Sequence, residues 1–168
     1  MPALPKAAGE TESDAPTIKR TFELTPDQVE LSDNFAANRG KLPWPTAQGI
    51  VSSTFGEHPH AVLKYIKTNN NGIDIITPAG EKARAVFNGK VTNIINIPNA
   101  KKAVIIRHGE YLSVYSNLSE IEIRVGQEIS TNSPVGTIYT DQETNKTELH
   151  FEIWKGKNLQ NPSYWLAN

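Results

Sequence analysis

The 168-residue sequence contains no cysteine. This excludes disulfides, thiolate nucleophiles and cysteine-ligated metal sites, and it suits an oxidising or a reducing compartment equally. Also missing is any apolar run near the roughly 18 to 20 residues that a membrane-crossing helix needs. The opening MPALPKAAGETESDAP has no apolar core of the signal-peptide kind. No direct membrane insertion is expected from this chain, and its compartment stays open. Strong charge of one sign is absent too: 17 basic and 18 acidic side chains leave a formal net charge of −1. No overall field therefore draws the chain to nucleic acid or anionic lipid, so partners have to be recognised by a local surface. There is no internal repeat, no glycine-rich phosphate loop and no Ser/His/Asp nucleophile pattern, which leaves acyl-transfer chemistry without support.

What is present suffices for one domain and a tail. Residues 1–20 are rich in Pro, Ala and charge, with little apolar surface to offset the entropy of ordering them, and read as a flexible linker. Residues 21–40 predict a short amphipathic helix leading into the domain. Thr25 suits the N-cap, Pro26 the first helical position and Gln28 the far side of a capping box, while Leu31 and Phe35 share a face and Gly40 ends the helix. From Lys41 to Asn168 short β-branched runs are divided by Gly, Pro and Asn, which predicts an all-β domain. Strands are expected at GIVSSTF, GIDII, ARAVF, KVTNIINI, KAVIIRH, YLSVYSN, IEIRV, PVGTIY and LHFEIW, with Asn88-Gly89 as a hairpin turn. Pro98-Asn99, Gly109-Glu110 and Gly126-Gln127 mark further turns.

Four histidines are candidates for chemistry. His58 and His60 flank a proline and read as a solvated loop pair, because a third metal ligand is missing nearby. His108 closes an apolar strand before a glycine, where a ring nitrogen bonded to backbone is the plain reading. In ELHFE, alternation places Glu148, His150 and Glu152 on one face and Leu149 and Phe151 on the other. By the same alternation Asp74 points away from Ile73 and Ile75. The aromatics Trp44, Tyr111, Tyr115 and Trp154 could stack on sugars, but their strand and hairpin contexts predict core packing.

Read together, LPWP at 42–45, GIDI, AVFNGKV, VIIRHGEYLSVYSNLS, VGQEI, PVG, LHFEIW and NPSYWL appear in the order of the LytM/lysostaphin-type zinc endopeptidases. The resemblance covers residues 42–168, and with the preceding residues the lead-in F..NRGKLPWP resembles that of the EnvC-like murein hydrolase activators within that family. It implies an antiparallel β-sheet domain of the duplicated-hybrid-motif type. In the family, zinc is held by H-x-x-x-D and by the second histidine of H-x-H. The positions that match are Asn70, Asp74 and His150, so one of three ligands is replaced by an amide, a poor zinc donor beside imidazole. The catalytic histidines of H-x-H and Y-x-H-L correspond to Glu148 and Asn117.

The resemblance thus implies vestigial ligand positions at Asn70, Asp74 and His150, zinc absent or weakly held, and no catalytic histidine left to move protons. It further implies a partner-binding groove lined by Asn70, Asp74, Asn117, Glu148 and His150 at the periplasm or cell envelope. The expected partner is a cell-wall amidase, with peptidoglycan and an upstream envelope regulator as further candidates. Two other readings stay open: a zinc endopeptidase using Asp74, Glu148 and His150, and a peptidoglycan-binding module. The predicted helix either occludes the groove or packs beside the sheet, and its narrow apolar stripe favours the second.

Overall fold

The computed structural model describes residues 24–59, 62–63, 65–96 and 101–168. The expected linker, His60 and the Pro98-Asn99 turn lie outside the described residues. Helix α1 (Pro26–Ala37) begins where the sequence places it, with the Thr25 side chain accepting from Gln28 N–H and Gly40 at φ +82 past its end. The capping box is only half made, because Gln28 Oε1 has no hydrogen-bond partner.

The remaining elements are strands: β1 (Ile50–Ser53), β2 (Gly56–Pro59), β3 (Lys67–Asn70), β4 (Ile73–Thr77), β5 (Lys82–Arg84), β6 (Gly89–Ile95) and β7 (Lys102–His108). They continue with β8 (Tyr111–Ile121), β9 (Glu128–Ile129), β10 (Pro134–Ile138), β11 (Thr140–Asp141), β12 (Lys146–Lys155) and β13 (Asn158–Gln160), before a single 3₁₀ turn at Pro162–Tyr164. All the pairings between these strands are antiparallel, and the main sheet runs β9-β6-β7-β8-β12-β4-β1. Strand β10 joins β8 to β5, β11 and β13 pair with β12, and β2-β3 forms a separate hairpin. The domain is the all-β architecture expected, with one short helix among the described residues.

Three local expectations fail. The run IEIRV is not a strand: β8 ends at Ile121, and the chain beyond it turns, with Glu122 N–H bonding Val135 C=O and Gln127 N–H bonding Arg124 C=O. In ARAVF only Ala83 and Arg84 are in a strand; Ala85 bonds Ser133 C=O and Val86 bonds the Tyr115 hydroxyl. Asn88-Gly89 does not join a hairpin, since β5 pairs with β10 whereas β6 pairs with β7 and β9. The Asn88 side chain instead accepts from Thr131 N–H at 2.9 Å, tying two loops together. In each case a tertiary partner overrides a local preference.

The inward residues of these strands, among them Ile73, Ile75, Val104, Ile106, Tyr115, Leu118, Leu149, Phe151 and Ile153, form one buried core. The helix joins it through a single anchor. Phe35 is fully buried and lies with its ring 4.8 Å from those of His108 and Tyr111 and 5.1 Å from that of Trp165. At the β7-β8 turn, Gly109 has φ +74, and a Cβ there would sit 2.4 Å from Ser32 Cβ, so glycine lets the helix close on the turn. The helix packs beside the sheet by this contact, as its stripe suggested.

His108 is structural, as read. Its Nδ1 lies 2.7 Å from Asn88 C=O and its Nε2 2.8 Å from Ser113 Oγ, which is 3.0 Å from the Tyr115 hydroxyl oxygen. A carbonyl can only accept, so Nδ1 carries the proton and the neutral ring accepts at Nε2. Burial pushes the His108 pKa down from 6.5 to about 4, against the opposing pull of the Asn88 carbonyl. The unfolded chain then binds the extra proton below pH 6.5, so stability is full above that pH, falls as pH drops towards 4, and levels off below. Denaturant titration of the wild type should show a loss of about 2 kcal/mol between pH 7 and pH 5 from this group. His108→Gln, though less stable at pH 7, should lack that component; an unchanged pH slope would assign it to another group.

Candidate functional site

Three neighbouring strands and the end of a hairpin bring the five predicted positions together. In β12 the odd-numbered residues Thr147, Leu149, Phe151 and Ile153 are buried while Glu148, His150, Glu152 and Trp154 face outwards, half-buried. Strand β4 alternates likewise, placing Asp74 outwards beside His150, with which it is in register. On the other flank His150 is in register with Ser116 of β8.

Asn117 reaches the same face by a bulge. Ser116 pairs with Ala103 and Leu118 with Lys102, so Asn117 is the extra residue, and its φ of +70 belongs to the left-handed region that Asn tolerates. The bulge turns Ser116 and Asn117 outwards in succession and resets the alternation, so that Leu118 is buried. The Asn117 amide then donates to Glu148 C=O at 2.6 Å. A second register shift in β1 leaves Ser52 and Ser53 adjacent to the site.

The polar side chains form two sets, one centred on His150 and one on Glu148. His150 Nδ1 is 2.7 Å from Asp74 Oδ1, and Nε2 is 2.8 Å from Glu152 Oε2, whose other oxygen accepts from Trp154 Nε1–H at 2.8 Å. Asn70 donates to Asp74 Oδ2 at 3.1 Å and to Ser53 Oγ at 2.9 Å, while its Oδ1 accepts from Gly72 N–H at 3.1 Å. Gly72 is required there, because a Cβ would lie 2.0 Å from Phe151 C=O. Glu148 is bonded by Ser52 Oγ and lies 3.7 Å from Lys146 Nζ. Glu148 therefore does not bond His150; Glu152, which alternation put on the same face, does.

Hydrogen bonds from His150 to Asp74 and then Glu152 outweigh partial burial and raise the imidazole from 6.5 to about 9. Burial alone would raise Glu152, but the bonds from His150 and Trp154 together hold its carboxyl below the ordinary value. At neutral pH the centre is an imidazolium clamped between two carboxylates. Zinc needs neutral imidazole with a free lone pair. Here both ring nitrogens are taken, the carboxylates lie on opposite sides of the ring, and the Asn70 oxygen is committed to backbone. Among the described residues no three His, Asp or Glu side chains converge on one metal position. The residues as arranged do not fit the zinc group that the resemblance implies.

The other candidates fall elsewhere. His58 lies on β2, its Nε2 2.7 Å from Thr54 C=O. Tyr111 and Tyr115 are in the core, and Trp44 packs against it with its indole N–H on Ala167 C=O at 2.8 Å. Trp154 is a correction: it shares the parity of His150, and so sits on the polar face bonded to Glu152. Sequence reading placed Glu152 on the right face but gave it no role, and it missed Ser52, Ser53 and Lys146. Alternation could have found Glu152; the serines depend on a bulge that no local signal marks.

Comparison with known proteins places this geometry. The model of Peptidase family M23 matches residues 68–162, which contain all five predicted positions. The chain belongs to peptidase family M23. The LytM-type resemblance read from the motifs is thereby borne out. Over 82% of its length this M23 chain is 26% identical to the cell division protein DipM of Caulobacter vibrioides, covering 22% of that protein. Over 96% of its length it is 22% identical to the murein hydrolase activator EnvC of Escherichia coli, covering 38%. The chain thus spans well under half of these curated relatives. The Helicobacter pylori Csd3 structure superposes with a TM-score of 0.63 at 23% identity, over 76% of this chain and 35% of that one, which shows the shared fold.

The network makes a direct prediction for His150. A ¹H–¹⁵N titration of its ring should give a pKa near 9, Asp74→Asn should bring it down towards 6.5, and Glu152→Gln should lower it by less. A wild-type value near 6.5 would mean that the clamp is not formed in solution.

Proposed function

We propose that this chain is a catalytically inactive M23 domain that binds and switches on a cell-wall N-acetylmuramoyl-L-alanine amidase during peptidoglycan remodelling or cell separation. The observation that carries the reading is the state of His150. The one imidazole left at the family's zinc and catalytic positions is held between Asp74 and Glu152. Asn70, Asn117 and Glu148 stand where the resemblance puts the other imidazoles, and each is bonded to its neighbours rather than pointed at a common centre. An amide and a carboxylate in those places neither hold zinc as imidazole does nor relay protons near neutral pH.

A groove shaped for a peptide keeps its concavity when its chemistry is removed, and so remains a recognition surface. The relative matched over nearly the whole chain, EnvC, is named a murein hydrolase activator, which supports activation as the role. On this reading the chain works in the periplasm or cell envelope, holds little or no zinc itself, and takes its orders from an upstream envelope regulator. A second reading has one observation in its favour: Asp74 and Glu152 each lie within hydrogen-bonding distance of His150, and two carboxylates with an imidazole are acceptable to zinc if the ring is released and the carboxylates turn to one side of it.

Dye-labelled peptidoglycan separates the two. Incubated with zinc, this domain alone and a resting amidase of the same cell should each release little dye, and the mixture much more. Chelator-sensitive release by the domain alone would establish the second reading in place of the first. Within the activator reading, Glu148→Lys reverses the charge at the groove floor; it should weaken amidase binding about tenfold, roughly 1.4 kcal/mol, without lowering the melting temperature. Unchanged affinity would move the interface away from Glu148.

A further inference from the structure

The segment that carries the chain from α1 to β1 is pinned on two sides. Trp44 donates its indole N–H to Ala167 C=O at 2.8 Å. Arg84 of β5 holds the same segment twice, its backbone N–H bonding Pro45 C=O at 2.8 Å and its Nε–H bonding Trp44 C=O at 3.0 Å. Between this segment, β5 and the start of β1 lies a cavity of about 270 Å³, whose lining includes Trp44, Thr46, Gln48, Val51 and Arg84. It has room for one amino-acid-sized group, and its pinned wall needs no reshaping when a ligand enters.

Two polar groups in that lining lack partners. Thr46 is 3% exposed, yet its hydroxyl makes no hydrogen bond among the described residues. A hydroxyl so placed costs stability unless something bonds it. It is not sealed in: among the described residues Gln28 Oε1 is the side-chain atom that is both enclosed and unpartnered, so the Thr46 hydroxyl is reached from the cavity that Thr46 lines. Arg84, half-buried, spends its Nε–H on Trp44 C=O, and neither Nη has a hydrogen bond or an ion pair among the described residues. The charged side chains next to it in sequence are engaged elsewhere: Glu81 accepts from Ala47 N–H at 3.0 Å, and Lys82 pairs with Glu122 at 2.9 Å. A guanidinium that is always charged is therefore held in place with its fork unneutralised.

Chemistry selects the ligand. The two Nη groups match the two oxygens of a carboxylate, and a hydroxyl can donate to one of the same oxygens. Trp44 and Val51 make part of the wall apolar, which suits a carboxylate on a short aliphatic stem rather than a bulky polyanion. Along β1 the cavity is one residue removed from the groove, since Val51 lines it and Ser52 bonds Glu148.

Going beyond the activator reading and not resting on it, we propose that this cavity is a binding site for a single peptide carboxylate, with Arg84 supplying the charged fork and Thr46 a further donor. The carboxylate is that of a chain end or of an Asp or Glu side chain in a bound polypeptide.

The test is ¹H–¹⁵N NMR titration of the full chain, read on the Trp44 indole and Arg84 Nε–H signals. N-acetylalanine offers an end carboxylate, N-acetylglutamic acid α-amide a side-chain one, and N-acetylalanine amide none. At least one acid should shift both signals saturably and the neutral amide should not; the tighter acid identifies the source. Thr46→Val keeps the shape and removes the hydroxyl, so it should weaken binding severalfold with the melting temperature unchanged or raised. Arg84→Lys keeps the charge and loses the fork, and should weaken binding about tenfold. The absence of a saturable shift with either acid would overturn the site. Equal shifts with the amide would reduce it to an apolar cleft, and equal affinity for inorganic phosphate or chloride to an adventitious ion only. A lowered melting temperature in Thr46→Val with wild-type affinity would return that hydroxyl to the fold and overturn its role as a donor.

Discussion

The antiparallel seating of β12 between β4 and β8 is the constraint on which the rest of this molecule depends. Because side chains alternate strictly along a strand, seating Leu149, Phe151 and Ile153 in the core forces Glu148, His150, Glu152 and Trp154 to the other face. A slip of one residue would bury three ionisable groups and expose three large hydrophobics, a cost that no local rearrangement could offset. The register is therefore fixed by the core, and the polar network is its consequence on the outer surface. Asp74 meets His150 for the same reason, since Ile73 and Ile75 hold β4 in phase.

Within that frame the site is finished by departures from regularity. The bulge at Asn117 adds one residue to β8, turns an amide towards the Glu148 carbonyl and still returns Leu118 to the core. The shift in β1 brings two consecutive serines to Glu148 and Asn70. Gly72 allows the chain to pass against Phe151 C=O between Asn70 and Asp74. These adjustments serve a centre whose hydrogen bonds close on themselves. In an M23 domain, where a metal would draw ligands to one point, the carboxylates here draw the imidazole in opposite directions.

The helix and the buried polar chain of His108, Ser113 and Tyr115 belong to stability. Phe35 plugs the helix into an aromatic cluster with His108, Tyr111 and Trp165, while the His108 ring spans from the Asn88 loop to β8. Each polar atom of the imidazole is satisfied, which is what allows it to stay neutral at the centre of the fold.

By itself the sequence determined the β class, the start of the helix at Thr25 and the parity of the site strands, and through its family resemblance it implied that Asn70, Asn117 and Glu148 stand in place of imidazoles. Those features are written in alternation, capping chemistry and motif spacing, all of which act over a few residues. Only the tertiary structure decided that IEIRV leaves the sheet, that Asn88-Gly89 ties loops instead of turning a hairpin, and that Trp154 lies on the polar face. It alone gave His150 to Glu152 rather than Glu148, and it brought Ser52 to Glu148 and Ser53 to Asn70. The physical reason is common to these cases: a backbone or side-chain group far away in sequence offers a better partner than a near one, and a bulge or a pairing register carries no signature in the residues that form it.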